Sequence, residues 1–163
     1  MDSKINQEKP ADVKRLITAC LQNNNETSLG QYINLTQWEL LAPYLQPTSL
    51  VQAQVLITQG STDRTVYFLE NGSLSVHYED ESGRVRLAIV GPGTAVGEGS
   101  FFSHLPRNAT VQAASASRVW GLTNIRFSEL CNRMPAVALS VALALGGLIA
   151  SRMADRRKRI SVT

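Results

Sequence analysis

Two cysteines and two histidines in 163 residues leave little material for metal or redox chemistry. Cys20 and Cys131 lie in separate helix-like segments with no paired spacing, which argues against a disulfide scaffold, a structural zinc site or an iron–sulfur cluster and fits a reducing cytoplasm. His77 and His104 lack a neighbouring cluster of histidines and carboxylates, so neither a multi-histidine metal enzyme nor a metal or cofactor is expected. The first ten residues have no apolar run of the kind a signal peptide needs. Positive charge is also scarce outside one place: residues 152–159 carry a local +4 against +3 for the whole chain, so the body is slightly negative. A short cationic helix end is favourably placed against the helix dipole, and no direct DNA binding is expected from it.

What is present suits one soluble core. Apolar residues are 44% and charged residues 18%, and this length does not divide into two well-cored domains. The single domain is read in three parts: an N-terminal helix and linker at 1–34, a roll with flanking helices at 35–134, and a C-terminal helix with a basic tail at 135–163. Residues 134–151 contain no charge and reach the lower edge of membrane-spanning length. Their Ala, Ser and Gly content and Pro135 favour a buried helix shared with a partner, and a membrane is not expected.

Periodicity sets the order of elements. Val13, Leu16, Ile17, Cys20 and Leu21 fall at helical spacing within 11–22, and residues 23–28 read as a linker. Thr36 with Glu39 predicts a capping box opening a second helix through Trp38, Leu40, Leu41 and Leu45, limited by Pro43. Short alternating runs follow, around Val55 and Ile57, Val66 and Phe68, Leu74 to Tyr78, and Val85 to Ile89, separated by Gly60, Asn71-Gly72, Ser82-Gly83 and Gly91-Pro92-Gly93. Residues 109–114 and 118–122 supply further strands. Strands punctuated this regularly predict an antiparallel roll or barrel rather than a parallel α/β sheet. Helical spacing returns at Phe127, Leu130, Cys131 and Met134 and continues after Pro135 as a long helix.

Residues 97–111 read Gly-Glu-Gly-Ser-Phe-Phe-Ser-His-Leu-Pro-Arg-Asn-Ala-Thr-Val. A Gly-Glu pair alone carries no signal. With Arg107 following after eight intervening residues, Asn-Ala-Thr-Val next, and the roll's Tyr67 and spaced glycines preceding, the segment resembles the phosphate-binding cassette of the cyclic-nucleotide-binding domain family. That family includes the effector domain of catabolite-activator-type regulators and the regulatory domains of cyclic-AMP-dependent protein kinase and cyclic-nucleotide-gated channels. The likeness covers 35–153 and implies a mainly β fold: an antiparallel, jelly-roll-like β-roll with flanking helices and a long C-terminal helix. It implies a non-catalytic sensor whose ligand is a cyclic nucleotide, cyclic AMP before cyclic GMP.

The resemblance assigns ligand contacts to Gly97, Glu98, Gly99, Ser100, Arg107, Asn108 and Ala109. Arg107 matches the phosphate-binding arginine, whose planar fork suits two exocyclic oxygens, and Glu98 matches the acceptor for the ribose 2′-hydroxyl. Ser151, Arg152 and Met153 are the corresponding base contacts. Departures from the family pattern fall at Gly99 and Ser100, where the family usually has Leu and Ala, at Asn108, and at the base-contacting positions of the long helix. Gly99 replaces a packing leucine, a loss of about 2–4 kcal/mol of burial that Phe101 or Phe102 is expected to refill. Asn108 replaces a smaller residue after the arginine and leaves base choice open.

The long helix carries two apolar stripes: Val137, Val141, Ala144 or Leu145, and Leu148 on one side, and Leu139, Leu143, Gly146 and Ala150 on another. One roll covers only one of them, so a partner helix from a second copy is predicted, with Val137, Val141, Leu145 and Leu148 assigned to the dimer interface and Gly146-Gly147 permitting close backbone approach. No residues remain after 163 for the DNA-binding domain of the regulators it resembles, so output is expected through the homodimer or a separate effector protein. The alternative is a ligand-independent dimerisation or scaffold module that keeps the roll.

Overall fold

The computed structural model describes residues 13–23 and 29–160, without the side chains of Leu87 and residues 157–160. Residues 11 and 12 of the expected first helix, residues 24–28 of the expected linker and the end of the basic tail lie outside the described residues. The chain opens with α1 (Val13–Gln22), a 3-10 turn (Leu29–Gln31), α2 (Leu35–Leu41) and a second 3-10 turn (Ala42–Tyr44). Eight strands and a short helix follow: β1 (Gln46–Leu50), β2 (Val55–Ile57), β3 (Thr65–Asn71), β4 (Leu74–Asp80), β5 (Gly83–Val90), β6 (Ala95–Val96), α3 (Glu98–Phe102), β7 (Thr110–Ala113) and β8 (Ser117–Thr123). The chain closes with α4 (Asn124–Arg133) and α5 (Pro135–Ile160).

Two four-stranded antiparallel sheets, ordered β1-β8-β3-β6 and β2-β7-β4-β5, form the predicted roll. Alternation along β3 and β8 sends side chains to opposite faces of the first sheet. Leu69 and Val119 join Leu50, Leu74, Val96 and Val111 between the sheets, while Val66, Phe68, Trp120 and Leu122 face a helical layer. That layer adds Leu16, Ile17 and Cys20 of α1, Trp38 and Leu41 of α2, and Leu130 of α4, with Trp38 edge-on to Phe68 at 5.5 Å. Burial pushes the Cys20 thiol up to about 12, so it behaves as a core residue rather than a nucleophile.

Two local expectations shift. The capping box of α2 is formed by Asn34 and Gln37 rather than Thr36 and Glu39, because Leu35 already occupies the first helical position. Leu45 belongs not to that helix but to the approach to β1, a strand the alternation missed because Gln46, Pro47 and Thr48 carry no apolar pattern.

The long helix requires a correction. Val137, Val141, Leu145 and Leu148, assigned by sequence to a dimer interface, are all buried in the chain's own helical core together with Ala138 and Ala144. They fall at the 3.6-residue period that a straight helix presents to one supporting surface, here α2, α4 and the 3-10 turn at Leu29–Gln31. Gly147 also serves this side: a Cβ there would lie 2.7 Å from the Tyr32 hydroxyl. The opposite face keeps Leu139, Leu143, Gly146, Ala150 and Met153 exposed. Residues 135–156 are long and apolar enough to cross a membrane by length and composition, with a mean hydropathy of 1.8, and one third of that stretch is buried inside the fold.

Candidate functional site

The segment between β6 and β7 is built on a left-handed residue. Gly97 has φ +84°, and a Cβ at that position would stand 2.6 Å from Arg107 Nη1 and 2.9 Å from the Thr65 carbonyl oxygen. Only glycine meets both demands without displacement. Its backbone leads directly into α3, whose last carbonyls are held from outside: Arg64 Nη2 donates to the Phe101 oxygen at 3.0 Å and Nε to that of Ser100 at 3.3 Å.

Arg107 lies inside this arch, with its side chain 2% exposed. Nη1 donates to the Gly97 carbonyl at 2.9 Å and Nη2 to that of Thr65 at 2.6 Å. The fork also meets Asp63, through Nη2 to Oδ1 at 2.5 Å and Nε to Oδ2 at 3.2 Å. Backbone bonds secure the same loop, from Arg107 N to Ser61 O at 2.8 Å and from Gly60 N to Arg107 O at 2.7 Å. Asp63, itself half-exposed, offsets part of the cost of burying the Arg107 guanidinium, and the Gly97 and Thr65 carbonyls accept from its remaining donors. Hydrogen bonding to Arg107 holds the Asp63 carboxyl below the usual carboxylate range.

Glu98, at the first position of α3, reaches a different element. Arg152 of α5 donates through Nη1 to Glu98 Oε1 at 2.5 Å and through Nη2 to the Ala95 carbonyl at 2.7 Å. Arg152 is thus engaged with the carboxylate of the cassette and the backbone of β6, where the sequence assigned it to a base. Ser151 beside it is half-buried, and Met153 is exposed on the outer face of α5.

Of the other cassette residues, Ser100 and Ala109 are buried and Asn108 is exposed. Phe101 turns into the core and meets Phe127 edge-on at 5.1 Å, while Phe102 remains exposed. Neither refills the place of a side chain at Gly99, where a Cβ would find no atom within 4 Å. Sequence reasoning missed Asp63, Arg64 and Thr65. Asp63 and Arg64 sit in a polar loop whose mark in the sequence is the turn pattern around Gly60, Thr65 opens β3, and no periodicity announces partners more than 30 positions away. Among the described residues no group of three or more His, Cys, Asp or Glu side chains is placed to hold a metal ion.

Residues 47–134 match the cyclic nucleotide-binding domain family. The chain belongs to that family. Domains of this family are regulatory, non-catalytic modules. Over 73 residues the chain is 33% identical to the cAMP-dependent protein kinase type II regulatory subunit of Drosophila melanogaster, covering 45% of this chain and 19% of that protein. The curated relatives are therefore several times longer than the matched span. Among solved structures, a cyclic nucleotide-binding domain from Methylobacillus flagellatus superposes with a TM-score of 0.79 at 20% identity, covering 93% of this chain and 83% of that one. The catabolite activator protein of Thermus thermophilus gives 0.70 at 23% identity, covering 82% and 62%. At these identities the superpositions establish the fold, which is the cyclic-nucleotide-binding roll with its flanking helices.

Proposed function

We propose that this domain is a sensor that binds a cyclic nucleotide, cyclic AMP in preference to cyclic GMP, in the cassette at 97–109 and passes occupancy to α5. The observation that carries the reading is the pair of bonds from Arg152 to Glu98 and the Ala95 carbonyl, which tie the cassette to the long helix. In this reading Arg107 receives the phosphate, Glu98 the ribose 2′-hydroxyl, and the backbone at Gly99, Ser100, Asn108 and Ala109 completes the cradle. Ser151 and Met153 remain the proposed base contacts, with Arg152 contributing through Glu98. Preference for cyclic AMP draws on the kinase subunit with which the chain shares 33% identity. Among the described residues Cys20 and Cys131 form no disulfide, which fits a cytoplasmic setting.

The assembly proposed is a homodimer through the outer face of α5. Leu139, Leu143, Gly146, Ala150 and Met153 alternate by four and three residues, the 3.5-residue repeat of a paired helix, and Leu139 and Leu143 are more than half exposed. A separate effector protein is the other route for output. Leu143→Glu should convert a dimer to a monomer in light scattering with little loss of fold stability; an unchanged mass would remove this seam as the interface.

A second reading has its own support: the Arg107 fork is already filled by Asp63, Gly97 and Thr65, as a ligand-independent scaffold would require. Calorimetric titration of nucleotide-free protein with cyclic AMP and cyclic GMP separates the two. Saturable heat with cyclic AMP, weakened about 100-fold or roughly 2.7 kcal/mol by Arg107→Ala, supports the sensor. Absence of heat with both nucleotides at millimolar concentration supports the scaffold.

A further inference from the structure

Apart from the cassette, an open groove of about 940 Å³ lies between α1, α5 and the turn joining β5 to β6. Its volume lies within the range of small-molecule sites, about 300–1,000 Å³. The groove is firmly built. Val13, Leu16, Ile17 and Cys20 anchor α1 in the core, and Asn23 Nδ2 donates to the Pro92 carbonyl at 3.3 Å. Gly93, at φ +82°, passes so near the end of α1 that a Cβ would lie 2.4 Å from the Ala19 oxygen.

The lining chemistry is selective. Lys14 and Arg15 stand on the α1 wall and Arg152 with Asp155 on the α5 wall, with the hydroxyls of Thr18, Thr94 and Ser151 also lining the groove; cations outnumber carboxylates by three to two once Glu70 is included. Glu70 also lines the groove and is buried. Its Oε2 accepts from Trp120 Nε1 at 2.7 Å and faces Arg118 Nε at 3.7 Å, whereas among the described residues Oε1 accepts a long 3.4 Å bond from Asn71 Nδ2, leaving capacity to accept from a ligand hydroxyl. Among the described residues none that lines the groove is aromatic, so they offer no stacking surface for a base. Cations on facing walls, lining hydroxyls and an acceptor suit a small hydroxylated phosphate ester.

We propose that this groove is a second ligand site, for a small polyhydroxylated phosphate ester, and that Arg152 links it to the cassette. The guanidinium that borders the groove is the one bonded to Glu98 and Ala95. An anion that draws Arg152 inward competes with Glu98 for it, so the two sites are thermodynamically coupled. The site itself does not depend on cyclic-nucleotide binding, and its coupling is measurable without any cyclic nucleotide.

The test is an amide NMR titration of the whole chain with glycerol 3-phosphate, following Gly91, Gly93 and Thr94. Saturable millimolar binding is expected, weakened at least fivefold by Lys14→Gln with Arg15→Gln, two exposed positions whose exchange leaves the core intact. Glu98→Gln, which weakens the competitor, should tighten binding severalfold, and adding Arg152→Gln should cancel that gain. Shifts that fail to saturate, or that persist unchanged in the Lys14/Arg15 variant, overturn the site. Binding that is normal but indifferent to Glu98→Gln overturns the link through Arg152. Lack of cyclic-AMP binding in the calorimetric experiment would leave both results standing.

Discussion

Arg107, at one end of the cassette, bonds to Asp63, Gly97 and Thr65, all within the roll, whereas Glu98 at the other end bonds to Arg152 on α5. The first cluster keeps its geometry wherever the long helix lies. The second exists only while α5 holds its present position. One end of the cassette is therefore scaffold, and the other reports on the helix. In the proposed function a ligand that engages Glu98 would compete directly with Arg152, and that competition would supply the differential interaction a transmitted change requires. The apolar faces of α5 repeat the contrast: Val141 and Leu145 belong to the domain, and Leu139 and Leu143 are left for another surface.

The largest effect should come from breaking the roll end. Arg107→Ala removes a half-buried ion pair and the guanidinium donors to the Gly97 and Thr65 carbonyls, a loss of about 2–4 kcal/mol, reduced from the fully buried case because Asp63 can return to water. Urea unfolding should show a lower midpoint with an unchanged slope. A loss under about 0.5 kcal/mol would mean that this end is not scaffold. Gly97→Ala tests the same cluster from the backbone side. Left-handed φ costs a side chain about 1–2 kcal/mol, and displacement of Arg107 adds to it, so total destabilisation near 2 kcal/mol is expected.

Breaking the helix end should cost far less and be felt elsewhere. Arg152→Gln deletes a partly exposed ion pair, with Arg152 33% and Glu98 12% exposed, so about 0.5–1 kcal/mol is expected. Hydrogen exchange should rise along the last two turns of α5 before residue 156 and around Ala95, with Tyr67 to Leu69 of β3 unchanged. Uniform loss of protection across the roll would merge the two ends into one unit.

Much of this organisation was legible in the sequence because it rests on periodicity and on a compact motif. The period-two runs of β3, β4, β5 and β8 and the helical stripe of α5 follow directly from side-chain alternation. Glu98 and Arg107 were visible because their spacing is contained in one short segment. Asp63 was not, since its pairing with Arg107 depends on how the β2–β3 loop crosses the roll. The assignment of the α5 faces also failed at the level of packing: two apolar stripes can be read from the chain, but which one the core takes depends on where α2, α4 and Tyr32 lie. The arrangement of Arg152 against Glu98 likewise required the long helix to be set at its actual angle.

The smallest expected effect probes how much of the roll end is electrostatic. Asp63 titrates below its ordinary range because Arg107 bonds its charged form, so its contribution is complete above the unfolded carboxylate pKa of about 3.9 and is lost as pH falls through the lower folded value. Asp63→Asn keeps a carboxamide oxygen for Arg107 but no charge. At neutral pH it should be less stable than the unsubstituted chain by no more than about 0.5 kcal/mol, the scale of an ion pair with one half-exposed partner. Paired urea titrations from pH 7 to pH 3 should show that gap closing only in the acidic limb, since protonating Asp63 removes the charge that the substitution lacks. A gap that persists undiminished at pH 3 would assign Asp63's role to geometry and place the roll end's resistance in the Gly97 and Thr65 carbonyls.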